Sequence, residues 1–226
     1  MQITEIYRSI QGESSYAGLP CVFVRLTACN LRCTWCDSEY TFTGGQKMSL
    51  DEVFAEVQRL ADSGLVEITG GEPILQEREV IPLMERLLRA GHTVLLETSG
   101  ERPLGRVPRA VVKIVDVKCP HSGAGNSFAM QNLAALTPND EVKFVLSDRE
   151  DYEFARDFTW MHDLNAKVRW VIFSPAFRKE AAGDRDSRHC LLDPRELAEW
   201  ILADGLNVRL GLQLHKFIWE PAAKGV

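Results

Sequence analysis

The sequence predicts an α/β fold: an open, partial TIM-like barrel of about six parallel strands with helices outside. Three observations lead to this prediction. Short apolar segments alternate along the chain with segments of helical periodicity, as expected when helices connect parallel strands. The units are too few for a closed eight-stranded barrel. Glycines and polar residues gather where the predicted strands end, and the carboxyl ends of parallel strands are where such folds bind ligands.

Composition is compatible with one large domain spanning residues 1–226. The chain is 45% hydrophobic and carries 32 acidic and 26 basic residues, for a net charge of −6. It contains no run of lysine or arginine, so we expect no nucleic acid partner, although a small anionic substrate stays possible. We find neither a signal-peptide pattern nor an apolar stretch of about 18 residues, and therefore expect a soluble, cytoplasmic protein with no membrane partner.

The first two predicted strands lead to a candidate site. Residues 2–10 alternate loosely and end at Gln11-Gly12-Glu13, which alone is compatible with an ordinary turn. Residues 21–28 form a second strand that is apolar on both faces and therefore buried. Arg25 lies within that strand, and a buried guanidinium requires an anionic partner. The partner is either a structural carboxylate such as Glu13 or a bound carboxylate.

The later elements follow from capping and periodicity. Ser49 and Glu52 form a capping box that begins a helix ending near Gly64. Asp193, followed by Pro194, begins the final helix. The other helices are expected over 76–90, 127–136 and 148–161, and the other strands over 65–69, 93–96, 110–117, 141–146, 169–173 and 208–214.

Three closely spaced thiols are the most specific motif. Cys29, Cys33 and Cys36 follow the second strand in a C-x3-C-x2-C pattern, and nothing nearby supplies a fourth cysteine. A four-iron cluster normally takes four cysteine ligands, so three leave one iron open to a non-protein ligand. The alternative, a structural zinc site, normally requires a fourth protein ligand. The other cysteines, Cys21, Cys119 and Cys190, are scattered, and we interpret them as packing residues or thiols rather than ligands.

With this motif and Thr69-Gly70-Gly71-Glu72-Pro73 after a later strand, the chain resembles the radical S-adenosylmethionine (SAM) enzymes. The resemblance implies a 4Fe-4S cluster held by the three cysteines. It also implies that the amino and carboxylate groups of SAM bind the open iron, and that an electron from the cluster cleaves SAM to a 5′-deoxyadenosyl radical.

Further segments resemble the 7-carboxy-7-deazaguanine synthases within that superfamily. They are Ile10-Gln11-Gly12-Glu13, Arg25, Cys36-Asp37-Ser38, Glu97-Thr98-Ser99-Gly100 and Gln213-Leu214-His215-Lys216. The resemblance implies a lyase of queuosine and 7-deazapurine biosynthesis that converts 6-carboxy-5,6,7,8-tetrahydropterin to 7-carboxy-7-deazaguanine with loss of ammonia. It further implies Mg²⁺, a homodimer and an electron donor of the flavodoxin or ferredoxin type.

The resemblance also implies roles for single residues. The predicted SAM contacts are Trp35, Cys36, Asp37, Gly71, Glu72, Asp116, Val117, Lys118 and Ser174. The predicted substrate contacts are Ile10, Gln11, Gly12, Glu13, Arg25, Thr69 and Val226. Glu13 and His215 are the candidate catalytic groups. Ser38 is the candidate Mg²⁺ ligand, although relatives often have threonine there, and relatives often have Ser-Pro in place of Asp116-Val117.

Two other functions remain open at this point. A radical SAM activase that abstracts hydrogen from a glycyl protein shares the cysteine spacing and a Gly-Gly-Glu segment. Gln11-Gly12-Glu13 with Arg25 favours a small carboxylated substrate instead. An iron-sulfur electron-transfer module without catalysis has little use for an open iron beside a glycine-lined pocket.

Overall fold

A computed structural model describes residues 1–61, 64–178, 189–219 and 224–225. Within these ranges nine strands form one sheet in the order β3-β1-β2-β4-β5-β6-β7-β8-β9. The strands are β1 Gln2–Ile10, β2 Pro20–Leu26, β3 Gln46–Lys47, β4 Leu65–Gly70, β5 Thr93–Thr98, β6 Val112–Asp116, β7 Glu141–Leu146, β8 Trp170–Pro175 and β9 Arg209–Leu210.

The sheet is mostly parallel and open. Strands β2 and β4 to β9 pair in parallel, as the alternation of strands and helices predicted. Strands β3 and β9 are the two edges of the sheet that the described residues form, and this sheet does not close into a barrel. The prediction of an open, partial barrel is confirmed. Strand β1 instead pairs antiparallel with β2, because a loop closed by the Gln11 N to Leu19 O hydrogen bond (2.8 Å) joins them without a helix.

Six α-helices accompany the sheet in the described part of the chain. They are α1 Leu50–Leu60, α2 Glu77–Arg89, α3 Arg149–Met161, α4 Leu164–Lys167, α5 Pro194–Ala203 and α6 His215–Ile218. The capping box at Ser49 and the cap at Asp193 are both present. No helix among the described residues combines the length and the apolar character needed to cross a membrane.

Three predicted elements differ from those observed. Helix α1 ends at Leu60, before Gly64. The helix expected over 127–136 is only a 3₁₀ helix, Met130–Ala134. The strand expected over 208–214 contains only two residues, since Leu214 N donates instead to Gly12 O at 2.8 Å. That bond takes the chain away from the sheet edge and toward the loop that follows β1.

The two faces of the sheet have different surroundings. Val22, Val24 and Leu26 belong to the large core under the helices, whereas Cys21 and Phe23 belong to a smaller cluster on the other face. This agrees with the predicted alternation in β2. Polar residues continue the second face toward the carboxyl ends of the strands, and a cavity opens there.

Candidate active site

The cavity collects residues from both ends of the chain. Most of the residues that the sequence analysis selected line it: Ile10, Gln11, Gly12, Glu13, Arg25, Cys29, Cys33, Trp35, Cys36, Asp37, Ser38, Thr69, Gly71, Asp116, Lys118 and His215. The side chains of Glu72, Val117 and Ser174 are buried in the surrounding protein and are not part of this lining. Val226 lies outside the described residues.

The cysteine loop follows β2 and is held by its own backbone. Ala28 turns the chain with φ at +82°, and its N–H donates to Thr41 O at 2.7 Å. The guanidinium of Arg32 lies 4.1 Å from the Phe42 ring centroid and donates to Cys29 O at 2.8 Å. Burial raises the pKa of the Cys29 thiol. All six cysteines are free thiols, and only those of the motif line the cavity.

The Gly-Gly-Glu-Pro turn packs directly under the cysteine loop. Glu72 N donates to Ala28 O at 2.8 Å. A Cβ on Gly71 would meet the Ala28 carbonyl and the Cys29 Cβ, so only glycine allows this approach. The carboxylate of Glu72 is buried and accepts from Thr98 Oγ1 at 2.8 Å and from Ser99 Oγ at 2.7 Å. Glu72 therefore fixes the turn to the end of β5.

Asp116 supplies a further acceptor in the cavity lining. Its Oδ2 accepts from Lys118 Nζ at 2.9 Å, whereas its buried Oδ1 has no hydrogen-bond partner in the described structure. A buried carboxylate oxygen without a partner is costly unless a ligand satisfies it. Three thiols and an unpartnered carboxylate oxygen in the same cavity lining fit a cluster with a bound ligand that carries hydroxyl or ammonium donors. This donor set therefore fits SAM.

A buried lysine that the sequence analysis did not select organises the carboxylates. Lys143 Nζ lies 2.5 Å from Glu13 Oε2, 2.5 Å from Glu97 Oε1 and 3.6 Å from Asp116 Oδ2. Burial raises the pKa of Glu13, but Lys143 and His215 outweigh it and hold that pKa at about 2. The sequence does contain a signal for Lys143, because it is a lone lysine in the apolar strand β7. Like Arg25, a buried cation in a strand requires an anionic partner.

Arg25 has a structural partner, but it is Glu5 rather than Glu13. Its Nε donates to Glu5 Oε1 at 3.0 Å, and its Nη2 donates to Tyr7 Oη at 2.9 Å. The antiparallel register places Glu5 opposite Arg25, which a sequence without pairing information does not reveal. The proposed Glu13 partnership is therefore wrong, because Lys143 holds Glu13. Arg25 still lines the cavity.

The segment after β9 closes another side. His215 packs on Gly12, where a Cβ would overlap its ring. Burial lowers the pKa of His215 despite the nearby Glu13 and Asp37. Lys216 Nζ lies 2.8 Å from Asp37 Oδ2.

Comparisons with known proteins agree with this geometry. Residues 24–121 match the model of the radical SAM superfamily. The chain is 73% identical to the 7-carboxy-7-deazaguanine synthase of Koribacter versatilis (strain Ellin345), over all of both chains. It is 42% identical to the enzyme of that name from Chlorobaculum tepidum, over 100% of this chain and 97% of that one.

Solved structures resemble it as well. The crystal structure of QueE from Escherichia coli has a TM-score of 0.69 and 25% identity, covering 95% of this chain and 94% of that chain. A radical SAM methyltransferase from Sphaerobacter thermophilus has a TM-score of 0.55 at 20% identity, over 88% of this chain and 67% of that chain. The second likeness concerns the fold alone.

Proposed function

The chain belongs to the 7-carboxy-7-deazaguanine synthases of the radical SAM superfamily, and from this we propose that it converts 6-carboxy-5,6,7,8-tetrahydropterin to 7-carboxy-7-deazaguanine with loss of ammonia. One observation carries the proposal: a full-length relative of that name is 73% identical. The same relationship makes the protein a radical SAM lyase of the 7-deazapurine pathway with a 4Fe-4S cluster and SAM. The two alternative functions, a glycyl-radical activase and an electron-transfer module, are not supported by this relationship.

We assign the cofactor wall to the cysteine loop and the elements packed on it. Cys29, Cys33 and Cys36 would hold the cluster. When bound, the cluster and SAM supply a carbon radical that removes a hydrogen atom from the substrate. The backbone around Trp35 and Asp37, with Gly71, would bind the methionine part of SAM, and the free Oδ1 of Asp116 would accept from its donors. Glu72, Val117 and Ser174 would act indirectly, by holding these groups in place.

The opposite wall would hold the pterin. Arg25 pairs its guanidinium with the substrate carboxylate while Glu5 keeps it oriented. Gln11, Gly12 and Thr69 border the ring, and Thr69 Oγ1 already donates to Glu97 Oε2 at 3.1 Å. Hydrogen abstraction requires close placement and exclusion of water rather than an acid or base, and the residues that line the cavity would supply both around the bound substrate.

Glu13 and His215 are the polar groups nearest to the proposed ring site. With its low pKa, Glu13 is a carboxylate at neutral pH and accepts hydrogen bonds from the ring. His215 has a lowered pKa and is therefore neutral, so one ring nitrogen can accept a proton during ammonia loss.

We also assign Mg²⁺ to Ser38. Its hydroxyl is an oxygen ligand of the type that Mg²⁺ prefers, and it lies in the cavity 3.8 Å from Cys36 Sγ. The neighbouring Asp37 carboxylate is engaged by Lys216. An ion at Ser38 would orient and polarise the substrate carboxylate.

The remaining proposals concern the setting of the enzyme. We propose one catalytic domain over residues 1–226, a homodimer, a flavodoxin- or ferredoxin-like electron donor and a cytoplasmic location. The single sheet supports the first, and six free thiols support a reducing compartment.

The test is reconstitution under anaerobic conditions. The cluster-loaded protein is mixed with reductant, SAM, Mg²⁺ and the carboxylated tetrahydropterin, and products are identified by mass. We expect 7-carboxy-7-deazaguanine and ammonia, whose atoms together equal those of the substrate. Because this balance consumes no SAM, 5′-deoxyadenosine is expected only in smaller amounts, from SAM cleavage that is not coupled to product formation. Formation of 5′-deoxyadenosine without any deazapurine would reject this substrate and leave the superfamily assignment intact.

A further inference from the structure

Four carboxylates of the cavity lining lie among the residues proposed to bind the pterin, in contact with them, or beside Lys143. They are Glu13, Glu67, Glu97 and Asp116. Of the lysines described in the lining, Lys143 approaches both Glu13 and Glu97, at 2.5 Å each. Lys118 is paired with Asp116 and Lys216 with Asp37. The Lys143 ammonium therefore compensates Glu13 and Glu97, which converge on it, and also lies 3.6 Å from Asp116 Oδ2.

The side chain of Lys143 is 4% exposed, and its position in β7 between Val142 and Phe144 excludes a role as a surface charge. A buried lysine is stable as a cation only when anions surround it. Glu13, Glu97 and Asp116 raise its pKa well above the ordinary value, outweighing burial. It is thus a permanent cation on the cavity wall.

The carboxylates differ in whether Lys143 touches them. Glu67 accepts a hydrogen bond from Gln11 Nε2 and has no ion pair with Lys143 in the described structure. Burial, followed by the charges of Glu97 and Glu13, raises the pKa of Glu67 well above its ordinary value. Contact with Lys143 therefore distinguishes Glu13 and Glu97, which both lie 2.5 Å from its Nζ, from Glu67, whose carboxyl group bonds to Gln11 instead.

The proposed substrate carries N–H groups that can use carboxylates held by Lys143 as hydrogen-bond acceptors. The 2-amino-4-oxopyrimidine edge of a pterin presents adjacent N–H donors, which an ionised carboxylate accepts and a protonated one does not accept equally well. Two like charges placed together would drive one carboxylate to take a proton. A cation between them prevents this.

We propose that Lys143 is a positioning residue for substrate recognition, which holds Glu13 and Glu97 as a fixed pair of acceptors for the N–H edge of a 2-amino-4-oxopyrimidine ring. This inference rests on the proposed function, since it names what recognises that substrate. The carboxylates touch the substrate, and Lys143 acts through them.

Lys143→Met removes the charge and keeps most of the volume. Lys113→Met is the matched control, because Lys113 is equally buried and ion-paired with Asp140 at 2.8 Å but is absent from the cavity lining. The holoenzyme with SAM but without reductant binds the pterin without turnover, so equilibrium dialysis measures its dissociation constant. Cluster absorbance and, after reduction, formation of 5′-deoxyadenosine in the absence of pterin report on the cofactor side.

We expect Lys143→Met to weaken pterin binding by about 10- to 100-fold, as for the loss of a charge-assisted contact. Cluster absorbance and pterin-independent SAM cleavage stay at the wild-type level. Lys113→Met is expected to keep the wild-type dissociation constant. If Lys143→Met does not fold, Lys143→Gln, which keeps N–H donors without the charge, takes its place with the same expectation.

Unchanged pterin binding in the Lys143 variant would overturn the inference, and so would an equal loss in Lys113→Met. If the wild-type holoenzyme itself fails to bind the pterin, the proposed substrate is wrong. That outcome rejects the proposed function and can be told apart from failure of the inference about Lys143. If the Lys143 variant loses both pterin binding and pterin-independent SAM cleavage, the inference is also overturned. Lys143 would then support the whole cavity.

Discussion

The Nζ of Lys216 lies 2.8 Å from the Oδ2 of Asp37, which joins the segment after β9 to the residue directly after the last cysteine of the motif. The Lys216 side chain is 5% exposed and that of Asp37 is 45% exposed. Gln213 Oε1 also accepts from this ammonium at 2.9 Å. A segment near the end of the described chain thereby restrains the cysteine loop.

Removal of the Lys216–Asp37 ion pair should make the cysteine loop more mobile and lower the free energy of unfolding moderately. We expect Lys216→Met to lower the free energy of unfolding by about 1 kcal/mol, because half of Asp37 is already solvated. Chelators should also remove cluster iron faster from this variant. Urea titration and iron release measure the two effects. Lys47→Met, at an exposed lysine on β3, is the control, and an equal effect there would contradict the role of the pair.

Replacement of a motif cysteine should remove the cluster. We expect Cys29→Ala, Cys33→Ala and Cys36→Ala each to lose the iron-sulfur absorbance and most bound iron after reconstitution, because each removes one of the three proposed protein ligands. Cys21→Ala and Cys190→Ala are controls, since neither thiol lines the cavity. Iron and sulfide analysis decides the outcome, and full clusters in a motif variant would show that another ligand is used.

Arg25→Ala tests the proposed recognition of the substrate carboxylate. We expect about a 10- to 100-fold weaker binding of the pterin with unchanged cluster absorbance, since a charge-assisted contact is lost. Arg106→Ala, at an exposed arginine that pairs with Glu77 at 3.3 Å, is the matched control. Equal affinity of wild type and Arg25→Ala would exclude the carboxylate role.

Glu13 should give the folded state a defined acid dependence. Its pKa falls from 4.5 to about 2 in the folded protein, because Lys143 and His215 outweigh the effect of burial. The carboxylate therefore stabilises the fold above pH 4.5, by roughly 3 kcal/mol at most, and this contribution disappears as the pH falls toward 2.

Glu13→Gln should accordingly be less stable than the wild type at pH 6, and the difference should shrink as the pH falls. Urea titrations at several values between pH 6 and 3 measure it. A difference that stays constant over this range would mean that the ionisation of Glu13 is not linked to folding.

Much of the fold followed from local patterns. The capping box of α1, the helix that Asp193 begins and the alternation in β2 depend on neighbours in the sequence, and they are present as expected. The strand over 208–214 was mostly wrong, because Leu214 bonds to Gly12, about 200 residues away along the chain. Such a bond leaves no local signal.

In the candidate site, too, local motifs could be predicted from the sequence, whereas contacts between distant segments could not. The cysteine spacing and the Gly-Gly-Glu-Pro turn are contiguous motifs, and they identified the chemistry. The partner of Arg25 depends on the antiparallel register of β1, and the grouping of Glu13, Glu97 and Asp116 around Lys143 depends on four separate segments. Long-range pairing, rather than residue type, decided those contacts.

Gly71 tests the closest contact between the turn and the cysteine loop. A Cβ there would meet the Ala28 carbonyl and the Cys29 Cβ, and neither atom is the end of a flexible side chain. We expect Gly71→Ala to lower the free energy of unfolding by about 1–3 kcal/mol and to reduce cluster loading, because the loop must move to make room.

Gly105→Ala is the control, since a Cβ at Gly105 has no atom within 4 Å. Its free energy of unfolding should differ from that of the wild type by less than about 0.5 kcal/mol. Urea titration and iron content measure both variants. Wild-type cluster loading in Gly71→Ala would mean that the cysteine loop accommodates a methyl group, and that the glycine is required for SAM rather than for the loop.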